Sequence, residues 1–137
     1  MPVKQANITC PYCHSKAFLR PATVVYGPNA PDPAARLYVC ARYPFCDSYV
    51  AAHQKSFLPM GTLANRELRK KRKEAHRALD KLWRSGLMSR KEAYRLLQLY
   101  LGLPEEEAHI AKFSMERCAQ VIEYCGKFYQ SAARHVA

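Results

Sequence analysis

No stretch of the 137-residue sequence comes near the roughly 20 consecutive apolar residues that a membrane-spanning helix needs. The first ten residues, MPVKQANITC, contain no apolar h-region, so no secretory signal is expected and the chain reads as soluble and cytoplasmic. Glycine is scarce: five residues scattered singly leave no Gly-rich loop to cradle a phosphate. Acidic groups are also few. Residues 1–60 contain only Asp32 and Asp47, too few for a magnesium-dependent nuclease site. The five histidines, His14, His53, His76, His109 and His135, have no Ser or Cys partner in any nucleophile motif. These gaps assign no catalytic residue, and the expectation is a protein that is not an enzyme.

What the chain has in excess is positive charge. Its 22 Lys and Arg against 11 Asp and Glu give a net charge of +11. A polyanion is therefore the first partner to consider, nucleic acid ahead of anionic lipid. The excess is uneven: residues 1–60 carry +4, residues 61–100 carry +8 and residues 101–137 carry −1. At 49% hydrophobic and 24% charged residues, the composition is that of a globular chain.

The chain changes character near residue 60. Eight of nine prolines lie between Pro2 and Pro59, and short apolar runs (KAFL, TVVY, RLYV) alternate there with turn formers. This pattern predicts short β-strands joined by a Pro-rich loop, GPNAPDPAA. From Gly61 the period becomes helical. Leu68, Ala75, Leu79, Leu82 and Trp83 share one face, and Gly86 stops that helix. Ser89 and Glu92 form a capping box for a second helix bearing Ala93, Leu96, Leu97, Tyr100 and Leu101, which ends at Gly102. Pro104 with Glu105, Glu106 and Glu107 opens a short third helix. Ser114 caps a fourth, striped with Met115, Cys118, Val121, Ile122, Cys125 and Phe128. The predicted fold is α+β: a small module of short antiparallel strands over residues 1–58, then a basic three- or four-helix bundle over residues 59–137.

Sixty residues of strand and loop bury little apolar surface, so a staple is required. Six cysteines in a chain without an export signal point to metal-binding thiols before disulfides. Cys10 and Cys13 form a C-x2-C knuckle, and Cys40 and Cys46 form a C-x5-C pair after 26 intervening residues. Zinc takes four thiolates tetrahedrally, and a closed four-Cys shell leaves no position for water. Such a site holds a fold together, and Zn2+ is the expected cofactor. His14 and His53 flank the knuckles but are not needed as ligands. Cys118 and Cys125, seven apart among Val121 and Ile122, read as buried apolar thiols and not as a second metal site with His76 or His109.

The residues around the ligands carry a resemblance. Cys10-Pro11-x-Cys13, then Tyr38-Val39-Cys40-x-x-Tyr43-Pro44-x-Cys46-Asp47, with Gly27 near the hairpin, resembles the zinc ribbons at the C-terminal end of type IA DNA topoisomerases. The GPNAPDPAA insertion is longer than those ribbons usually have. GTLAN, LDKLWRSGLMSRKEAYRLL and LGLPEEEAHIAKFSMERCAQVI look like a small family of zinc-finger-containing proteins from bacteriophages and mobile elements, over about residues 8 to 125. That resemblance implies a topoisomerase-like ribbon fused to a helical region, and it favours single-stranded DNA as the ligand. It carries no activity with it.

Between Arg66 and Lys73 six of eight residues are basic, and Arg77, Lys81 and Arg84 continue the run. With Leu68, Ala75 and Leu79 facing inward, most of these cations face solvent, where a phosphate backbone relieves their repulsion by counterion release. The phosphate-contacting set is Arg66, Arg69, Lys70, Lys71, Arg72, Lys73 and Arg77. In the ribbon, Tyr12, Tyr43 and Phe45 lie in or beside the knuckles with Arg42 among them. Their rings either stack on unpaired bases or pack the ribbon's small core; Arg42 and Tyr43 are the candidates for contact. The expected function is DNA binding by a non-enzymatic accessory protein. The alternative is a protein-binding adaptor or inhibitor that docks on a host polymerase, nuclease or defence protein. The C-terminal helix favours that reading, since Cys118, Val121, Ile122, Tyr124, Phe128 and Tyr129 exceed what one buried face needs.

Overall fold

The structure is a computed structural model that describes residues 5–136. It divides into two compact units, the first ending at Glu67 and the second beginning at Leu68. The architecture is α+β, a four-stranded antiparallel sheet followed by helices.

The first unit is a meander: β1 (Ile8–Thr9), β2 (Lys16–Pro21), β3 (Arg36–Cys40) and β4 (Tyr49–Ala51), paired in chain order. Strand β3 explains the apolar run RLYVC. It has neighbours on both sides and cover on both faces, so four of its five residues are buried. Tyr38 and Cys40 point to one face with Cys10, Ala17, Val50, Ala52 and Leu63. Leu37 and Val39 point to the other, where Ala22, Val25, Tyr43 and Tyr49 pack. A run that alternates faces by geometry stays apolar throughout when neither face meets water.

TVVY is not the strand that its composition predicts. Thr23–Tyr26 forms a single helical turn, α1, closed by Gly27 at φ +77°. The left-handed backbone there suits glycine, and the turn delivers Val25 to the second core face. The Pro-rich loop that follows is built locally, with Asp32 Oδ1 accepting from the Ala34 N–H at 3.1 Å and Ala30 buried.

Residues 59–67 lie with the sheet. Tyr49 and Ala64 exchange backbone hydrogen bonds of 3.2 and 3.1 Å, Met60 N–H donates to Ala51 O at 2.8 Å, and Leu63 joins the core. A strand as short as β4 gains pairing partners from this returning segment, because unpaired edge groups are costly where they are shielded from water.

In the second unit the helical period is obeyed closely. Helix α2 (Arg66–Arg84) buries Leu68, Ala75, Leu79 and Leu82. Helix α3 (Arg90–Leu101) has the expected box: Ser89 Oγ accepts from Glu92 N–H at 3.1 Å, and Glu92 Oε1 accepts from Ser89 N–H at 3.2 Å. Gly102 ends it in the left-handed region at φ +65°. The acidic triplet makes only a 3-10 turn, Glu105–Glu107, followed by a second at Ile110–Lys112. Helix α4 (Met115–Val136) starts where Ser114 Oγ accepts from Arg117 N–H at 3.2 Å. Cys118, Val121 and Cys125 line its buried face, as their spacing predicts.

Candidate metal centre and nucleic-acid interface

The two knuckles meet because of sheet register. Thr9 pairs with Lys16 across β1–β2, and Ala17 pairs with Cys40 across β2–β3. Both turns therefore leave the sheet at the same end. In the first knuckle Cys10 N–H donates to Ser15 O at 2.7 Å and His14 N–H to Cys10 O at 2.9 Å. His14 closes it in the left-handed region, φ +63°. In the second, Tyr43 N–H donates to Cys40 O and Cys46 N–H to Arg42 O, at 2.9 and 3.1 Å, around a cis Tyr43–Pro44 bond.

The four sulfurs converge. Cys13 Sγ lies 3.4 Å from Cys40 Sγ, Cys10 Sγ lies 3.6 Å from Cys46 Sγ, and all four sulfurs fall within 4.8 Å of one another. A zinc tetrahedron with bonds of about 2.3 Å has edges of about 3.8 Å. No pair is joined as a disulfide, and neither His14 nor His53 belongs to the cluster. The donor set and its spacing fit a zinc-type ion. A family model described as a zinc-finger-containing domain matches residues 6–128. The chain belongs to that family. No curated protein and no solved structure matches it.

In this zinc-finger-containing domain the thiols need a cation to ionise together. The Ser15 hydroxyl and backbone hold the Cys13 thiol down at about 6. Burial pushes Cys40 up to about 12. On Cys10 burial is the largest influence and acts upward, yet the Ser48 hydroxyl and the knuckle N–H groups carry it below the usual value. Metal binding overrides such differences by displacing the thiol protons outright.

One supporting residue escapes sequence reasoning. Ser48 is fully buried, and its Oγ lies 3.1 Å from Cys10 Sγ and 3.7 Å from Cys46 Sγ. A hydroxyl donating to a ligand sulfur orients it and spreads its charge. Nothing in a serine two places after Cys46 announces that role; only the convergence of the knuckles creates it. Arg42 contributes a backbone N–H, 3.5 Å from Cys40 Sγ. Asp47 Oδ2 accepts from the backbone N–H of Arg66 at 3.2 Å, a capping contact for the first residue of α2.

The structure separates the ribbon's aromatics. Tyr38 is fully buried. Tyr43 is half-buried, edge-on to Tyr49 at 6.5 Å between centroids and packed on the second core cluster. Much of its ring therefore serves the fold. Phe45, two residues on, is 93% exposed, and Arg42, three positions before it in the sequence, is exposed as well. Tyr12 is 41% exposed, and its hydroxyl accepts from Asn65 N–H at 3.2 Å.

The cations of α2 also divide. Arg72 needs a correction: it is buried, and its Nε donates to Phe113 O at 3.0 Å. It falls on the inward stripe, four residues from Leu68 and three from Ala75, and not on the solvated face, so it supports the helical core. Arg66 is exposed, whereas Arg69 and Lys71 are half-buried, with Lys71 Nζ 3.8 Å from Glu74 Oε2. Lys70, Lys73 and Arg77 are exposed, step three and four residues along one face, and have no ion-pair partner among the described residues. Lys81 and Arg84 extend that face, with Lys81 Nζ 4.3 Å from the Tyr129 ring centroid and Arg84 3.9 Å from Asp80. No helix among the described residues is long and apolar enough to cross a membrane.

Proposed function

We propose that this chain is a zinc-dependent DNA-binding accessory protein, of a phage or mobile element, without a catalytic role. The observation that carries the reading is the stripe Lys70, Lys73 and Arg77, three exposed cations on consecutive turns with no ion-pair partner among the described residues. Cations so arranged track a phosphate backbone and release its counterions. Phe45 supports the single-stranded form of the ligand, because a ring held out in water is suited to stacking on an unpaired base. The likeness of the knuckles to topoisomerase ribbons points the same way. A closed four-sulfur shell supports a structural metal in place of a catalytic one.

The adaptor reading draws on a different observation. Leu99 is 74% exposed, and Tyr100, 45% exposed, stacks on Tyr124 at 3.7 Å between centroids, an apolar surface that phosphate does not use.

Titrating salt against binding to single-stranded DNA, duplex DNA and RNA of equal length tests the proposal. The expected result is micromolar or tighter binding that weakens steeply with salt, strongest for the single strand. Reversing Lys70, Lys73 and Arg77 to Glu abolishes it at moderate salt. No binding by the unaltered chain transfers support to the adaptor.

A further inference from the structure

Helix α3 carries a second, independent concentration of charge. Arg90, Tyr94 and Gln98 are spaced four apart, and Lys91 and Arg95 are likewise spaced four apart beside them, so all five share one face. They line a groove of about 730 Å³ whose other residues include Glu105 and His109. That size lies within the range of small-molecule sites, about 300–1,000 Å³. Arg90, Lys91 and Arg95 are exposed and have no ion-pair partner among the described residues. Glu105, the one carboxylate of the lining, leaves them two charges in excess. The Arg90 guanidinium lies over the Tyr94 ring, 4.8 Å from its centroid. Guanidinium and phenol together make a flat, cationic surface, and Gln98 adds an amide with both a donor and an acceptor.

We propose that this groove seats a nucleoside phosphate, taken either as a free nucleotide or as one unit of a single strand. Phosphate meets Arg95 and Lys91; the base lies against the Tyr94–Arg90 surface, with Gln98 placed for its hydrogen-bonding edge. A bare anion leaves the aromatic wall unused, and a nucleoside without phosphate leaves Lys91 and Arg95 unanswered. Only the strand form rests on the nucleic-acid reading above.

Calorimetric titration of the full zinc-loaded chain at low salt with AMP, adenosine and inorganic phosphate is the test. AMP is expected to saturate at submillimolar concentration, roughly tenfold or more tighter than either fragment. Exchanging Arg90 and Arg95 for Glu weakens AMP roughly tenfold or more with helicity unchanged. A short oligothymidylate that displaces AMP identifies the strand as the source; failure to displace identifies the free nucleotide. No saturable AMP binding, equal affinity for adenosine, or indifference to the Arg90 and Arg95 changes overturns the proposal. Should the unaltered chain bind AMP but no strand of any kind, the groove stands and the DNA-binding reading falls.

Discussion

Replacing Phe45 with Ala separates binding from folding more sharply than any other single change. At 93% exposure the ring buries almost nothing, so its loss costs the ribbon under about 0.5 kcal/mol and leaves zinc content unchanged. If the ring stacks on an unpaired base, the same change removes about 1–3 kcal/mol of binding, an increase in Kd of about 5- to 150-fold. Fluorescence anisotropy with a labelled single strand reads the affinity, and a thermal melt with zinc quantitation reads the fold. The duplex provides the internal control, because its bases are already stacked and its affinity should move by less than twofold. Tyr43→Ala is the converse: its ring packs beside Leu37 and Val39, so stability falls along with any effect on binding. An F45A chain that keeps its single-strand affinity within twofold, or that loses single-strand and duplex affinity equally, would refute the stacking argument.

Removing the metal by chelation, or Cys40→Ser, withdraws on the order of 10 kcal/mol from a sheet that has little else; circular dichroism should lose its strand signal, and elemental analysis showing no zinc in the unaltered chain overturns the assignment. Arg72→Met leaves Phe113 O without its donor and should cost about 1–3 kcal/mol. For a unit of this size that lowers Tm by about 4–8 °C per kcal/mol, whereas an undiminished Tm with a shallower salt slope of DNA binding would mark Arg72 as a phosphate contact after all. Alkaline pH offers a further check: burial pushes the Cys125 thiol from 9.0 up to about 11 and raises Cys118 as well. The folded state therefore favours the protonated thiol, a contribution complete below pH 9 and lost as pH rises towards 11, at most about 3 kcal/mol for Cys125. Thermal melts between these values should fall more steeply for the unaltered chain than for Cys125→Ala, and parallel curves would contradict the burial argument.

Much of this architecture follows from local rules alone. Four cysteines at knuckle spacing, the Ser89–Glu92 box, the stop at Gly102 and the stripes of α2 and α4 each depend on residues within a turn or two of one another, and such signals survive without tertiary knowledge. The charge excess likewise predicts a polyanion from composition. What local rules miss is decided by what comes to lie opposite. TVVY has strand composition, yet it turns into a helix because Gly27 closes it and Val25 has a core to enter. Arg72 looks like one more cation in a basic run, and it is buried because helical phase places it on the inward stripe, where a carbonyl of Phe113 meets it.

The same distinction divides the site. Sequence spacing by itself determined which four sulfurs can hold a metal, because a knuckle is a local turn. Only the sheet register decided that the two knuckles share one end of the meander, that Ser48 is buried between their sulfurs, and that Phe45 is left in water while Tyr43 packs inward. The shared end and the burial of Ser48 depend on contacts between residues more than twenty positions apart, Ala17 with Cys40 and Cys10 with Ser48, and no pattern within either knuckle encodes them.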